Sequence, residues 1–323
     1  MVFSTNTKDS VTIIIPTLNR PNLVKRCINS IYNQNYDGLI VTIVVDSSLD
    51  IETEKITTDF KINKKNFKLI YKKNNNSLRP IDNWIYSIES IETKYAKFIC
   101  DDDWLEPNFL NESIKIFNSF GVDCVTSNIN VHRDFSKRKE VVKGYYIFEE
   151  GVATESTILD SFLGFNQILP VTPTSALFRS EILKEAFVSS LEHIECTKRL
   201  FGFDFYMTYY PSFVTNGTYL MNKNLSNSWA GEDSMTLNVK KANIAYCYFF
   251  ALLKLIDISK FTPTKKQKKV IEHKLGVIHL RIVLNKEFKN ILQPSNYKPK
   301  INIYRLLKQF LKKVLIKLKY KFI

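Results

Sequence analysis

Apolar runs alternate with amphipathic segments through the first 120 residues of the chain. Residues 11–15 form a β-branched run that stops at Pro16, and apolar positions then recur at helical spacing. Because strands that are apolar throughout pack helices on both faces of a sheet, the pattern predicts an α/β fold with a mostly parallel, Rossmann-like sheet. The predicted strands are 11–15, 39–45, 67–71 and 95–100, and the predicted helices are 19–33, 51–60, 81–91 and 109–120.

After residue 121 the pattern is looser, with an irregular excursion at 137–147. The last two predicted helices indicate a helical extension that follows the α/β domain. In this half of the chain the predicted strands are 123–131, 174–178 and 219–225, and the predicted helices are 156–162, 180–187, 203–210, 238–256 and 264–291.

The ends of the first four strands are expected to meet. Right-handed crossovers place the carboxyl ends of parallel strands along one edge of the sheet, where open α/β sheets bind ligands. Pro16, Asp46, Tyr71 and Asp101 would therefore share that edge.

Three consecutive carboxylates, Asp101, Asp102 and Asp103, follow the fourth strand. Adjacent carboxylates repel one another, and a cation between them relieves the repulsion. Hard ions such as Mg²⁺ take oxygen ligands and bridge carboxylates to phosphates. The sequence therefore favours a metal-assisted phosphate site, and the alternative is a solvated acidic turn that caps the next helix.

Composition is that of a globular protein with one large domain or two ordinary ones. The 323 residues include 45% apolar residues, 23 Phe and 16 Tyr, with only 9 Gly and 10 Pro. The five cysteines have no CxxC spacing, which favours reduced, buried thiols over a zinc site. We expect neither a signal peptide in the polar first ten residues nor a membrane-spanning segment.

The formal charge of +14 comes from the C-terminal fifth of the chain. Residues 258–323 hold 18 Lys/Arg against two acids, and the rest is slightly acidic. In residues 300–323, Leu311 and Leu315 belong to an apolar helical face opposite a basic one that carries Arg305, Lys308, Lys312 and Lys319. This pattern is typical of a helix that lies in a membrane interface, although a partner helix or a helix packed on the body would also fit.

Three motifs resemble those of the family 2 glycosyltransferases with the GT-A fold. They are VTIIIPTLNR at 11–20, IVVDSS at 43–48 and FICDDDWLEP at 98–107. The resemblance covers residues 10–120 well and extends thinly to about residue 236. It divides the chain into a GT-A domain at 1–236, with a nucleotide half at 10–120 and an acceptor half at 121–236, a helical extension at 237–292 and the basic helix at 293–323.

The resemblance implies inverting transfer of a hexosyl group from a nucleotide diphosphate sugar, most simply a UDP-sugar, to a glycan or lipid-linked acceptor in surface polysaccharide synthesis. It implies Mn²⁺ or Mg²⁺ held mainly by Asp102, with Asp101 or Asp103 beside it. Cys100 stands where the family has its first Asp, and its soft thiol is expected to pack rather than coordinate. The donor-binding residues implied are Pro16, Thr17, Asn19, Arg20, Asp46, Arg79, Asn83, Asp101 and Asp102.

The resemblance places the catalytic base at Asp204, in a segment rich in aromatic residues. Glu232 and Asp233 are the alternatives, and a helix-capping role for Asp204 is a further one. The family's Arg and His near residues 229–236 are missing. Thr174 and Ser175, in a segment that resembles the acceptor-side strand, are expected to touch the sugar.

Lipid-linked acceptors and the basic helix together predict a cytoplasmic protein on the inner face of the plasma membrane. A non-catalytic membrane-attached scaffold with the same fold is one alternative. A basic nucleic-acid-binding protein is another, but the confinement of positive charge to the end of the chain argues against a nucleic-acid partner.

Overall fold

A computed structural model describes residues 9–75, 80–135, 138–164, 168–193, 202–231, 241–284 and 296–304. The chain divides into two compact units, Met1–Phe261 and Thr262–Ile323. The first unit contains the sheet and the candidate site.

The first half of this unit alternates strands and helices as the sequence predicts. The elements are β1 (Val11–Thr17), α1 (Pro21–Tyr32), β2 (Ile40–Asp46), α2 (Glu52–Thr58), β3 (Phe67–Lys73), α3 (Pro80–Ile88) and β4 (Tyr95–Phe98). Strand β4 ends two residues before the predicted end because Ile99 and Cys100 already lead into the acidic turn.

The second half is more irregular. Two short strands and the hairpin strand β7 were not anticipated, because isolated runs of two to five residues carry little periodicity. The elements are β5 (Trp104–Leu105), α4 (Phe109–Phe120), β6 (Cys124–Phe135), β7 (Arg138–Val142), β8 (Gly151–Ala153), α5 (Glu155–Leu163), a 3-10 turn (Pro173–Ser175), β9 (Ala176–Arg179), α6 (Ser180–His193), α7 (Phe203–Val214), β10 (Thr218–Gly231) and α8 (Lys241–Ile258).

Within the described residues the strands form one ten-stranded sheet, in the order β3-β2-β1-β4-β9-β6-β10-β5, with β7 beside β6 and β8 beside β10. Strands β1 to β4 pair in parallel, which confirms the predicted Rossmann-like half. The sheet changes direction at β9, which is antiparallel to both β4 and β6. The acidic turn therefore follows the last strand of the parallel half.

The core lies on both faces of this sheet. Ile13, Ile14 and Ile15 of β1 are completely buried, and each such side chain contributes about 1.5–3 kcal/mol. On one face, Trp84 of α3 stacks on Phe98 at 4.0 Å between ring centroids and meets Phe203 edge-on at 4.9 Å. This aromatic group fixes the start of α7 against the end of β4.

The second unit contains α9 (Lys265–Leu284) and residues 296–304, which contact this helix. The main-chain N–H of Lys300 donates to the Glu272 carbonyl at 2.9 Å, and Asn302 N–H donates to His273 Nδ1 at 3.0 Å. Of the helices that the structure describes, none combines the length and the apolar character needed to cross a membrane. Of the basic helix predicted at 293–323, residues 296–302 are not helical, and residues 293–295 and 305–323 lie outside the described residues.

Candidate active site

The strand ends meet as predicted. Thr17, Asp46 and Lys73 lie side by side in register across β1, β2 and β3. Asp101 joins them because Thr17 Oγ1 donates a hydrogen bond to Asp101 Oδ2 at 2.7 Å. One edge of the sheet thus brings together the first and last motifs of the nucleotide half.

Asn83 on α3 ties three of these strand-end loops together. Its Nδ2 donates to the Thr17 carbonyl at 3.1 Å, and its Oδ1 accepts from Ser47 Oγ at 2.6 Å and from Asn74 Nδ2 at 2.8 Å. Asn83 is 2% exposed. Its amide group therefore holds together the three loops that surround the predicted donor pocket.

Asp46 is fully buried and its oxygens are engaged. Ser48 N–H donates to Oδ1 at 2.8 Å, and Tyr71 Oη donates to Oδ2 at 2.9 Å. Lys73 Nζ lies 3.5 Å from Oδ2. A nucleobase could reach this carboxylate only after Tyr71 or Lys73 moves.

The loop after β1 brings a guanidinium to the carboxylates. Asn19 has a φ of +56°, a left-handed conformation that Asn tolerates better than most residues, and its N–H donates to Ser48 Oγ at 2.7 Å. Arg20 follows, and its Nη1 lies 3.3 Å from Asp101 Oδ1 and 3.1 Å from Asp102 Oδ2. Pro16 is half-buried just before this loop.

The three carboxylates have different surroundings. Asp103 is 2% exposed, and its oxygens accept from Thr174 Oγ1 at 2.5 Å and from Trp229 N–H at 2.9 Å. Asp101 is held by Thr17 and Arg20, and 9% of its side chain is exposed. Asp102 has the most accessible side chain, 17% exposed.

Burial and mutual repulsion raise the pKa values of this turn. Burial, followed by the charge of Asp102, raises the pKa of Asp101 to about 6, while Thr17 and Arg20 oppose the rise. The same two causes raise the pKa of Asp103 above the ordinary range. A cation beside these groups would favour their ionised forms.

The residues of the acidic turn fit a hard divalent ion. Ligand atoms of Cys100, Asp102 and Asp103 lie within 4.8 Å of one another. Burial raises the pKa of the Cys100 thiol well above its usual value, so the group stays protonated and is a poor ligand. Because the Asp103 oxygens accept hydrogen bonds from Thr174 and Trp229, Asp102 is the more accessible of the two carboxylates in this possible metal group.

Arg26 of α1 holds the acidic turn from behind. Its Nη2 donates to the main-chain oxygen of Asp102 at 2.6 Å. Its guanidinium carbon lies 4.3 Å from the ring centroid of Trp104 and 5.1 Å from that of Trp229. We call Arg26, Trp104 and Trp229 the rear clamp.

Thr174 connects the turn to the acceptor half. Thr174 and Ser175 are both completely buried, so neither is placed to touch a sugar as expected from the sequence. Beyond its bond to Asp103, Thr174 offers its carbonyl to Nζ of the buried Lys97 at 2.5 Å. Burial lowers the pKa of Lys97 to about 7.

Asp204 lies in the first turn of α7, half-buried, and next to the Phe203 that contacts Trp84. Burial raises the pKa of Asp204 to about 7, and its hydrogen bond from Tyr248 limits the rise. Burial raises the pKa of Tyr146, and the charges of Tyr145, Asp204 and Asp103 add to the rise. Arg79, Glu232 and Asp233 lie outside the described residues.

Three residues that hold parts of the candidate site in place were not singled out from the sequence. Lys97 carried a visible signal, a single Lys inside an apolar strand. Arg26 and Tyr248 carried none, because each acts through partners that only the fold brings close.

The parallel half-sheet with acidic groups at its carboxyl edge, joined to a mixed half-sheet, is the GT-A architecture expected from the sequence. The family model described as "Glycosyl transferase family 2" matches residues 12–187, more than half of the chain. The chain belongs to that family, which confirms the resemblance seen in the three motifs.

Relatives match a shorter stretch. Glycosyltransferase GlyA of Streptococcus pneumoniae serotype 4 is 26% identical over 121 residues, covering 37% of this chain and 17% of that protein. The uncharacterized glycosyltransferase RC0461 of Rickettsia conorii is 30% identical over 109 residues, and the match covers 33% of this chain and 17% of that protein. The chain thus spans less than a third of the length of these relatives.

Solved structures of Staphylococcus aureus TarS, residues 1–349, share the fold. The uncomplexed structure gives a TM-score of 0.57 at 16% identity, covering 83% of this chain and 71% of TarS 1–349. The complex with UDP-GlcNAc gives a TM-score of 0.59 at 15% identity, and the match covers 83% of this chain and 72% of TarS 1–349. This likeness confirms the predicted GT-A architecture.

Proposed function

We propose that the protein is an inverting, metal-dependent hexosyltransferase that uses a nucleotide diphosphate sugar, UDP-linked. The observation that carries the proposal is the contact of Thr17 and Arg20 with Asp101 and Asp102 at one edge of the sheet. It places cationic and acidic groups together where a donor diphosphate and its cation need opposite charges. The complexes of the TarS fold with UDP and UDP-GlcNAc support the choice of donor.

In the proposed reaction an acceptor hydroxyl attacks the anomeric carbon while the bond to the diphosphate breaks on the opposite face. Asp204 takes the hydroxyl proton, because a carboxylate with a pKa near neutrality is both ionised and basic enough. Asp102 would hold Mn²⁺ or Mg²⁺, which would supply charge neutralisation for the leaving diphosphate. Arg20 shifts from the carboxylates toward phosphate as the donor binds.

The donor pocket in this proposal is formed by Pro16, Thr17, Asn19 and Asp46 around the nucleoside. Asn83 supports the pocket through the strand-end loops, and Tyr71 releases Asp46 when a base binds. Arg79 is proposed as a second phosphate contact.

The acceptor is proposed to be a glycan or lipid-linked intermediate of surface polysaccharide synthesis, met at the inner face of the plasma membrane. The basic amphipathic sequence from Arg305 onward supports this location, since basic residues are attracted to anionic lipid by about 1 kcal/mol each. Co-sedimentation with phosphatidylglycerol vesicles tests it. The full chain should bind and a chain ending at residue 304 should not, and equal binding would contradict it.

A panel of UDP-, GDP- and dTDP-linked sugars, measured by thermal shift and turnover with and without Mn²⁺, tests the activity. A true donor stabilises the protein by mass action. Asp102→Ala should abolish the Mn²⁺-dependent shift and turnover, and Glu89→Ala, at an exposed acid, should not. Absence of both shift and turnover across the panel would contradict the proposed function.

A further inference from the structure

The carboxylate of Asp204 accepts hydrogen bonds from two different helices. Phe205 N–H donates to Oδ1 at 2.8 Å, and Tyr248 Oη donates to Oδ2 at 2.8 Å. The first contact is local to α7. The second comes from α8, which the sequence places beyond the predicted GT-A domain.

Main-chain contact fixes the separation of the two helices next to this pair. Gly202 has a φ of +97°, and a Cβ atom there would lie 2.9 Å from the carbonyl oxygen of Cys247. Cys247 directly precedes Tyr248, and Gly202 lies two residues before Asp204. The Tyr248 ring also packs near Phe205, at 6.2 Å between centroids. The hydroxyl therefore reaches Asp204 from a scaffold with little freedom.

We propose that Tyr248 is a positioning residue for the reaction base: its hydroxyl orients the Asp204 carboxylate and favours the ionised form that accepts the acceptor's proton. This inference rests on the proposed function, because it needs Asp204 to act as the base. It adds α8 to the parts of the chain on which the reaction depends.

The proton balance assigns each group one task. The acceptor oxygen forms its bond to the anomeric carbon, the bond from that carbon to the diphosphate oxygen breaks, and the acceptor proton moves to Asp204. Tyr248 keeps its own proton, since burial and the charge of Asp204 raise its pKa well above the usual value. Tyr146 is a second titratable group whose pKa the charge of Asp204 raises, after burial and the charge of Tyr145. Neither phenol needs to ionise.

Tyr248→Phe removes only the hydroxyl, and Tyr206→Phe is its matched control. Tyr206 lies on α7 with Asp204, and its hydroxyl bonds Ser189 at 2.8 Å instead. The probe reaction is hydrolysis of the most active sugar nucleotide of the panel by the full chain with Mn²⁺. We expect Tyr248→Phe to lower kcat about tenfold at pH 7 with KM unchanged, and the deficit to shrink at higher pH.

Isotope-edited infrared spectroscopy measures the protonation state of the Asp204 carboxyl group in the absence of substrate. The Asp204→Asn variant assigns the band. Loss of a hydrogen bond to a charged acceptor should move the titration of that band upward by about one pH unit in Tyr248→Phe. Tyr206→Phe should titrate as the wild type does.

The kinetic and infrared measurements together distinguish failure of this inference from failure of the proposed function. If Tyr248→Phe keeps both the wild-type titration and the wild-type pH profile, the inference is overturned. If the band shifts as expected but no sugar nucleotide is turned over by the wild type, the proposed function fails and the hold of Tyr248 on Asp204 is supported.

Discussion

Nζ of Lys97 donates a hydrogen bond to the Thr174 carbonyl across 77 positions of sequence, although Lys97 is completely buried. Its ammonium also lies 4.1 Å from the ring centroid of Phe109. This one side chain joins the last parallel strand to the turn that bonds Asp103. An ammonium in such surroundings is destabilised relative to the neutral amine by the loss of water.

Lys97 should make the stability of the protein depend on pH. Its folded-state pKa of about 7 lies below the ordinary value of 10.5, so the folded protein binds fewer protons than the unfolded chain between those pH values. The unfolding free energy should therefore rise with pH across this window, by at most about 1.4 kcal/mol per pH unit. Denaturant unfolding of Lys97→Met should lack this contribution, while the exposed Lys68→Met keeps it. Wild-type and Lys97→Met curves that run parallel in pH would contradict the prediction.

Substitution of Asp103 should mainly lower the unfolding free energy, whereas substitution of Asp102 should mainly weaken Mn²⁺ binding. Asp103→Ala leaves the Thr174 hydroxyl and the Trp229 N–H without their hydrogen-bond acceptor. It should lower the unfolding free energy by about 2–3 kcal/mol. Asp102→Ala should change it by only about 0.5 kcal/mol, because its side chain is more accessible, yet should lose Mn²⁺ binding measured by calorimetry. Equal losses of stability in the two variants would show that the carboxylates do not differ in this way.

The pH dependence of turnover should identify the base. Because the carboxylate must be ionised, kcat should rise as pH passes through about 7, the pKa of Asp204. Asp204→Asn should reduce kcat by about 10²–10⁴-fold and leave the donor-induced thermal shift unchanged. Glu232→Gln and Asp233→Asn serve as the comparison and should retain turnover. An equal loss in either one would move the assignment to residues 232–233.

The rear clamp should hold the acidic turn in place. Arg26→Met keeps much of the aliphatic stem but loses the bond to Asp102 and the contacts with both Trp rings. We expect a loss of about 1–2 kcal/mol in unfolding free energy, together with weaker Mn²⁺ binding. Lys25→Met, at the exposed neighbouring position, should change neither quantity. Unaltered Mn²⁺ affinity in Arg26→Met would limit the clamp to a structural role.

The sequence predicted the half of the site that depends on strand order alone. Apolar runs located β1 to β4, and the handedness of their crossovers was enough to bring Thr17 and Asp101 to one edge. Local pattern sufficed there because the strands are long, buried and regularly spaced.

The remainder depends on contacts between distant segments. Trp229 reaches the rear clamp because β10 returns antiparallel to the two-residue strand β5. Thr174 reaches Asp103 because β9 enters the sheet antiparallel to β4. Neither pairing leaves a periodic signal, so the sequence did not show that Thr174 and Trp229 donate hydrogen bonds to Asp103.

The main-chain contact between Gly202 and Cys247 sets a lower limit on how far the protein can be shortened. A fragment that stops at residue 236 would lack the helix that covers Asp204 on one side and that buries Phe249, Phe250 and Leu253. Its uncovered apolar surface would favour aggregation, and its Asp204 would face water. A shortened version that keeps the whole of α8 therefore has to extend through Ile258.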